Sequence, residues 1–240
     1  ALAGVFLYSY PNYFIMIRSV VFRIVNILVF SFSFLLQTTA QSTSAEECIK
    51  SIMQQTPVAG LSVAVVKNGK IIYTHSFGSK NIEANTPLTD DCLFRIASIS
   101  KSFSATSIMQ LAEKKKLSLE DDISDLVGFK IRNPKFPETA ITLRMVMSHR
   151  SSINDKQGYF TLNAINPDKN KDWAKCYNDY EPGTGYQYCN LNYNMIGTNK
   201  EKKSGERFDQ YVKHHILDPL KLYGGYCVDS LDKSKFATIY

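Results

Sequence analysis

Phe94-Arg95-Ile96-Ala97-Ser98-Ile99-Ser100-Lys101-Ser102-Phe103 is the stretch where an apolar segment turns into a helical pattern that continues through Met109 and Leu111. Ser98 and Lys101 stand three residues apart. Residues at that spacing share a helix face, so the hydroxyl and the amine can meet. A serine at a helix start also lies beside free backbone N–H groups and the positive end of the macrodipole, which favour developing negative charge. A neutral hydroxyl is a poor nucleophile, and an adjacent base is one way to activate it. The competing reading of Ser98 is an ordinary N-cap of an amphipathic helix. The same letters recur at Ser230-Leu231-Asp232-Lys233, in a polar segment where they are expected to mean nothing.

The flanking chain is rich in element signals. Upstream, Ser44-x-x-Glu47 forms a capping box before a helix with Cys48, Ile49, Ile52 and Met53 on one face. Leu61, Val63 and Val65 alternate toward Asn68-Gly69, and Ile71-Ile72-Tyr73 follow, which predicts an antiparallel hairpin. Asn85–Asp91 reads as turns. Downstream, Leu117-Ser118-Leu119-Glu120-Asp121-Asp122 caps a short helix around Ile123–Val127, and Thr142 caps one carrying Leu143, Val146 and Met147 that ends near His149. Residues 151–187 are loop-like, and long loops in compact domains tend to carry function. Pro182-Gly183-Thr184-Gly185 is a turn that delivers Tyr188 and Asn190 on one side of a short segment before a helix begins at Leu191. Gly205 breaks that helix, and Phe208, Tyr211, Val212, His215 and Ile216 form another, stopped by Pro219.

Composition narrows the classes. A chain of 240 residues with 44% hydrophobic and 21% charged residues is globular and can bury one sizeable core. The net charge of +6 comes from scattered Lys and Arg, apart from Lys114-Lys115-Lys116 and Lys200–Lys203, which read as solvated helix faces, so no nucleic-acid partner is expected. Cys48, Cys92, Cys176, Cys189 and Cys227 lack metal-ligand spacing, and no metal or other cofactor is expected. One disulfide is compatible with an oxidising compartment, without an assignable pair. Residues 1–40 contain two charges, Arg18 and Arg23, and no acid. From Met16 they read as a signal peptide with an apolar run over Ile24–Leu36 and small residues at Thr38-Thr39-Ala40, with residues 1–15 as upstream translation. An uncleaved membrane anchor over residues 14–36 is the alternative. The expected organisation is therefore residues 1–40 as signal or anchor and 41–240 as an exported, periplasmic or secreted domain.

Taken in order, Phe94-Arg95-Ile96-Ala97-Ser98-Ile99-Ser100-Lys101, Ile141-Thr142-Leu143 through Ser148-His149-Arg150-Ser151, and Pro182-Gly183-Thr184 with Tyr188-Cys189-Asn190 resemble the serine β-lactamase-related hydrolases. Among these the chain is most similar to the class C type, with Tyr-x-Asn in place of Ser-Asp-Asn, over about residues 46–230. Tyr-x-Asn alone is weak, since Tyr10-Pro11-Asn12 also matches; the ordered set is specific. The resemblance implies a β-lactamase/transpeptidase-like α/β (α+β) fold, an antiparallel sheet flanked by helices plus a mainly helical lobe. It implies that Ser98 attacks a carbonyl to form an acyl-enzyme and that Lys101, its pKa lowered, helps take the serine proton. It gives Tyr188 proton donation to the leaving group and, in lactamases, activation of the deacylating water. Asn190 holds Lys101 and donates to a substrate amide oxygen, and the Ser98 N–H forms half of an oxyanion hole. His149 is expected to bond backbone, not to act as a base; His75, His214 and His215 are expected to be structural or exposed.

The chain departs from the family pattern in three places. Lys203-Ser204-Gly205 matches the family's third active-site segment by letters, but it follows Asn190 too closely and sits between helices. The real segment is expected beyond Tyr240, which makes the domain incomplete at its C-terminus, leaves a sheet edge exposed and leaves residues 41–240 alone inactive or very weak. Ser152 stands where the family has glycine, and polar Thr198–Lys203 follows Gly197 where the helix is ordinarily apolar. The reading is an exported serine hydrolase acting on a small-molecule or peptide substrate: a β-lactam, a D-amino-acid peptide or an ester. The alternatives are a penicillin-binding sensor that acylates without turnover and a non-catalytic fragment. Oligomeric state is not legible.

Overall fold

The computed structural model describes residues 45–240, which form two compact units, residues 45–92 with Ala237–Tyr240 and Leu93–Phe236. The readings over residues 1–44, including the signal or anchor and the Ser44 cap, lie outside the described residues. No helix among the described residues is long and apolar enough to cross a membrane.

The smaller unit is a helix and a sheet. Helix α1 spans residues 45–55, and strands β1 (Gly60–Lys67), β2 (Lys70–Asn81) and β3 (Thr86–Pro87) form an antiparallel sheet in the order β1-β2-β3. Asn68 and Gly69 take φ values of 51° and 71° and close the hairpin with Lys67 opposite Lys70. Positive φ at both turn residues is what a tight hairpin with the native twist requires. Strand β3 falls inside the segment read as turns; a two-residue strand is too short for any periodicity to reveal. Glycine is required at Gly78, where φ is +77° and a Cβ would stand 2.4 Å from the Ala59 carbonyl oxygen. Helix α1 is tied to the sheet by the Tyr73 hydroxyl, which donates to Glu46 at 3.1 Å. Of its expected apolar face, Ile49 and Met53 are half-buried, whereas Cys48 and Ile52 are exposed. Among the described residues β1 pairs only with β2, so its other edge is open.

The larger unit is mainly helical. A 3-10 turn at Ala97–Ile99 runs into α2 (Ser100–Glu113), followed by α3 (Ile123–Val127), α4 (Leu143–Met147), α5 (Asn190–Ser204) and α6 (Phe208–Val212), which continues as a π-turn over Lys213–Leu217. Helix α5 lies at the centre and packs against α2, α3, α4 and α6. Ile108, Leu111, Ile123, Leu143, Leu191 and Ile196 are fully buried in the shared core, each stabilising the fold by about 1.5–3 kcal/mol relative to exposure. The polar Thr198–Lys203 run forms the last turns of α5 and leaves the helix intact, because its burial comes from Leu191, Met195 and Ile196; Gly205, at φ 75°, ends it.

Both expected caps form. Thr142 accepts from the Met145 N–H at 3.3 Å, and Asp122 accepts from the Ser124 N–H at 2.9 Å. Asp122 is also gripped by the Arg132 guanidinium through both carboxylate oxygens. Burial by itself raises the Asp122 pKa, but the Arg132 and Ser124 donors outweigh it and hold the carboxyl below its ordinary value. The folded value thus lies below the unfolded one. The stabilisation is complete above the ordinary carboxylate range and is lost as pH falls through the folded value. Asp122→Ala removes a cap and strands a partly buried guanidinium, so urea unfolding at pH 7 is expected to show a loss of about 2–3 kcal/mol, shrinking as the pH is lowered.

Candidate active site

Ser98 is exposed on the 3-10 turn that opens α2, one residue after Ala97, whose φ of +44° is an unfavourable conformation for an L residue. Such an outlier re-aims the chain sharply and presents Ser98 at the tip. Helix α2 is anchored beneath it by buried Ser104, Ser107, Ile108 and Leu111. One turn along, the Lys101 amine donates to Ser98 Oγ at 3.0 Å, as the i, i+3 spacing predicts.

Tyr188 arrives from a distant loop. The turn carrying Gly183, at φ +94°, is pinned to the end of α4 by the Gly183 N–H on the Arg150 carbonyl at 2.8 Å and the Gln187 N–H on the His149 carbonyl at 2.9 Å. The Tyr188 ring then lies 4.5 Å from the His149 ring, and its hydroxyl donates to Ser98 Oγ at 2.7 Å. Lys101 Nζ stands 5.1 Å from the centre of the same ring. Its hydrogen bond, with that of Ser98, holds the Tyr188 phenol below its ordinary pKa.

Asn190 is the first residue of α5, and its Oδ1 accepts from Lys101 at 2.9 Å. All four residues singled out from the sequence therefore meet. Ser98 Oγ receives two hydrogen bonds, one from an amine and one from a phenol, so both groups lie within reach of the serine proton. Beside them opens a cavity of about 570 Å³ lined by Lys101, Asn190, Tyr193, Tyr159, Phe160 and Tyr226.

His149 bonds backbone: its Nδ1 accepts from the Cys189 N–H at 3.2 Å. Burial and then the Lys101 charge lower its pKa, which favours the neutral ring that this bond requires. His75 packs on Phe77 with ring centres 4.3 Å apart, and His215 and His214 face Glu206. Ser230 and Lys233 are directed elsewhere, Ser230 to the Cys227 carbonyl and Lys233 to Asp229. Lys203 is exposed near the end of α5, on a helix and not on a strand. Ser152 has φ +60°, which explains a glycine preference there; here the buried Ser152 hydroxyl accepts from Asn133 Nδ2 at 3.0 Å. All five cysteines are unpaired, and among the described residues no cluster of three or more His, Cys, Asp or Glu is placed to hold a metal.

One residue of the site was not singled out from the sequence. Asp155, half-buried in the loop after α4, accepts from the Asn190 N–H at 2.8 Å, Asn190 Nδ2 at 2.9 Å, the Leu191 N–H at 3.0 Å and Cys189 Sγ at 3.1 Å. Burial raises its pKa, but these donors outweigh it and hold the carboxyl below its ordinary value. No spacing rule links it to Asn190, 35 residues away; the only signal was an acid inside a long loop.

The Beta-lactamase family model matches residues 45–226. Penicillin-binding protein 4* of Bacillus subtilis (strain 168) is 32% identical over 168 residues, covering 66% of this chain and 36% of that protein. The chain thus spans little more than a third of this relative's length. The octameric penicillin-binding protein homologue from Pyrococcus abyssi superposes with a TM-score of 0.69 at 30% identity, over 82% of this chain and 47% of that one. A class C beta-lactamase crystallised with cefoxitin gives 0.66 at 25% identity, over 82% and 54%. With the sheet and helices in place, the chain belongs to the beta-lactamase family and has the β-lactamase/transpeptidase-like fold of its serine β-lactamase and penicillin-binding-protein-like members.

Proposed function

We propose that the protein carrying this chain is an exported serine hydrolase that forms an acyl-enzyme on an amide or ester carbonyl. The observation that carries the reading is the convergence of Lys101 Nζ and Tyr188 OH on Ser98 Oγ, at 3.0 and 2.7 Å. Ser98 is the nucleophile. Its oxygen bonds the carbonyl carbon while its proton passes to Lys101 or Tyr188; Tyr188 returns a proton to the leaving group, and water later cleaves the ester. Asn190 keeps Lys101 on the serine, and the Ser98 N–H is one oxyanion donor, a group whose loss costs roughly 3 kcal/mol of transition-state stabilisation. Export is supported by the apolar, acid-free segment ahead of residue 41. β-Lactams, D-amino-acid peptides and esters all present a carbonyl of suitable chemistry.

A sensor that acylates without turnover uses the same four residues, and the lifetime of the adduct separates the two. Incubation of the full-length natural protein with benzylpenicillin, followed by intact-protein mass spectrometry, is expected to show an adduct of one penicillin on Ser98 that decays within minutes. An adduct stable for hours identifies the sensor. Absence of both adduct and turnover, with penicillin, a D-Ala-D-Ala peptide and an aryl ester alike, overturns the reading in favour of a non-catalytic piece.

A further inference from the structure

We infer that Asp155 is a positioning residue of the acylation centre, whose acceptor-only carboxylate turns the Asn190 amide so that Oδ1, not Nδ2, faces the Lys101 amine. The inference rests on the acyl-enzyme reading above. A side-chain amide has a donor end and an acceptor end of nearly identical shape, so nothing in its packing chooses between the two orientations. The choice falls to hydrogen-bond partners. Asp155 Oδ2 lies 2.9 Å from Asn190 Nδ2, and an ionised carboxylate can only accept. Oδ1 is thereby turned to Lys101, at 2.9 Å. With the amide reversed, an N–H would face the amine's own N–H groups and release Lys101 from Ser98.

The carboxylate is itself held firmly. Its neighbour Ile153 is fully buried, and the Asn154 N–H donates to the Cys176 carbonyl at 2.7 Å. Asp155 also takes the Asn190 and Leu191 N–H groups, doing for the first turn of α5 what its N-cap residue, Cys189, does not do with its side chain. One acid therefore connects the loop after α4 to the start of α5 and, through Asn190, to Lys101 and Ser98.

The test is the rate of Ser98 labelling by a fluorescent penicillin in the full-length natural protein. Asp155→Asn is expected to lower the limiting labelling rate about 10- to 100-fold, with the half-saturating penicillin concentration little changed. In an Asn190→Ala background the same change is expected to cost less than about 3-fold, because the group it positions is gone. A labelling rate equal to the parent's, or an undiminished loss in the Asn190→Ala background, overturns the inference. If Asp155→Asn does not fold, Asp155→Glu, which keeps the acceptor charge but displaces it, carries the same cycle with a smaller expected loss. Failure of the parent itself to label, with no turnover of a D-Ala-D-Ala peptide or an aryl ester either, overturns the acyl-enzyme reading alone. The positioning role is then read from a ¹³C NMR titration of Tyr188, whose phenol is faced by Lys101, Asp155 and His149. Because the Asp155 charge itself raises the Tyr188 pKa, the titration uses Asp155→Glu, which keeps that charge: its midpoint should move up as Lys101 withdraws, and an unmoved midpoint overturns the role.

Discussion

Ser98→Ala is expected to abolish covalent labelling by a fluorescent penicillin, while Ser230→Ala labels at the parent rate. The two serines share the letters Ser-x-x-Lys, so the comparison isolates geometry from pattern. Ser98 Oγ accepts from Lys101 at 3.0 Å and from Tyr188 at 2.7 Å. Ser230 Oγ donates to the Cys227 carbonyl at 2.7 Å, and Lys233 is engaged by Asp229 at 3.0 Å. With no oxygen at position 98 no ester can form, so the loss is complete and not merely large. Ser98 is exposed on a turn, so thermal unfolding should hardly change. Gel fluorescence after a fixed exposure reads the result, and residual labelling of Ser98→Ala would move the nucleophile elsewhere.

Lys101→Arg carries the second-largest expected effect, a loss of about 10²- to 10⁴-fold in the labelling rate. The substitution keeps a positive charge but replaces a group that can release and take up a proton with one that stays protonated. If Lys101 contributed only electrostatic attraction, arginine would substitute well. If it accepts the serine proton, arginine cannot. The site also leaves little freedom for a larger fork, since Lys101 Nζ is held by both Ser98 Oγ and Asn190 Oδ1, at 3.0 and 2.9 Å. Lys101→Ala removes charge and proton acceptor together, so a rate for Lys101→Arg well above that of Lys101→Ala would assign part of the effect to charge. Near-parental labelling by Lys101→Arg would leave Tyr188 as the proton acceptor.

The cavity beside these groups bears on what the protein can take. Phe160 is 86% exposed and stacks on Tyr159 with ring centres 4.5 Å apart, and both line the opening next to Lys101 and Asn190. On the acyl-enzyme reading proposed above, we expect these rings to favour substrates with flat or apolar acyl parts.

What the residues determined by themselves was local. The Ser98–Lys101 spacing, the Asn68-Gly69 hairpin, the Asp122 and Thr142 caps and the Gly205 stop each rest on interactions within a few residues, and each formed. The turn at Pro182–Gly185 drew notice to Tyr188 and Asn190, but their role at the serine came only by resemblance, because nothing near them in the chain points at a residue 90 positions away. Tertiary structure decided their convergence, by packing α5 against α2 and burying Leu191, Met195 and Ile196 in the shared core. It also decided the place of Asp155, whose partners lie 34 to 36 residues downstream, and the left-handed backbone at Ala97 and Ser152. Short-range spacing is written in the helix period, whereas the meeting of distant loops depends on how buried faces fit, and side-chain order in a sequence does not encode that fit residue by residue.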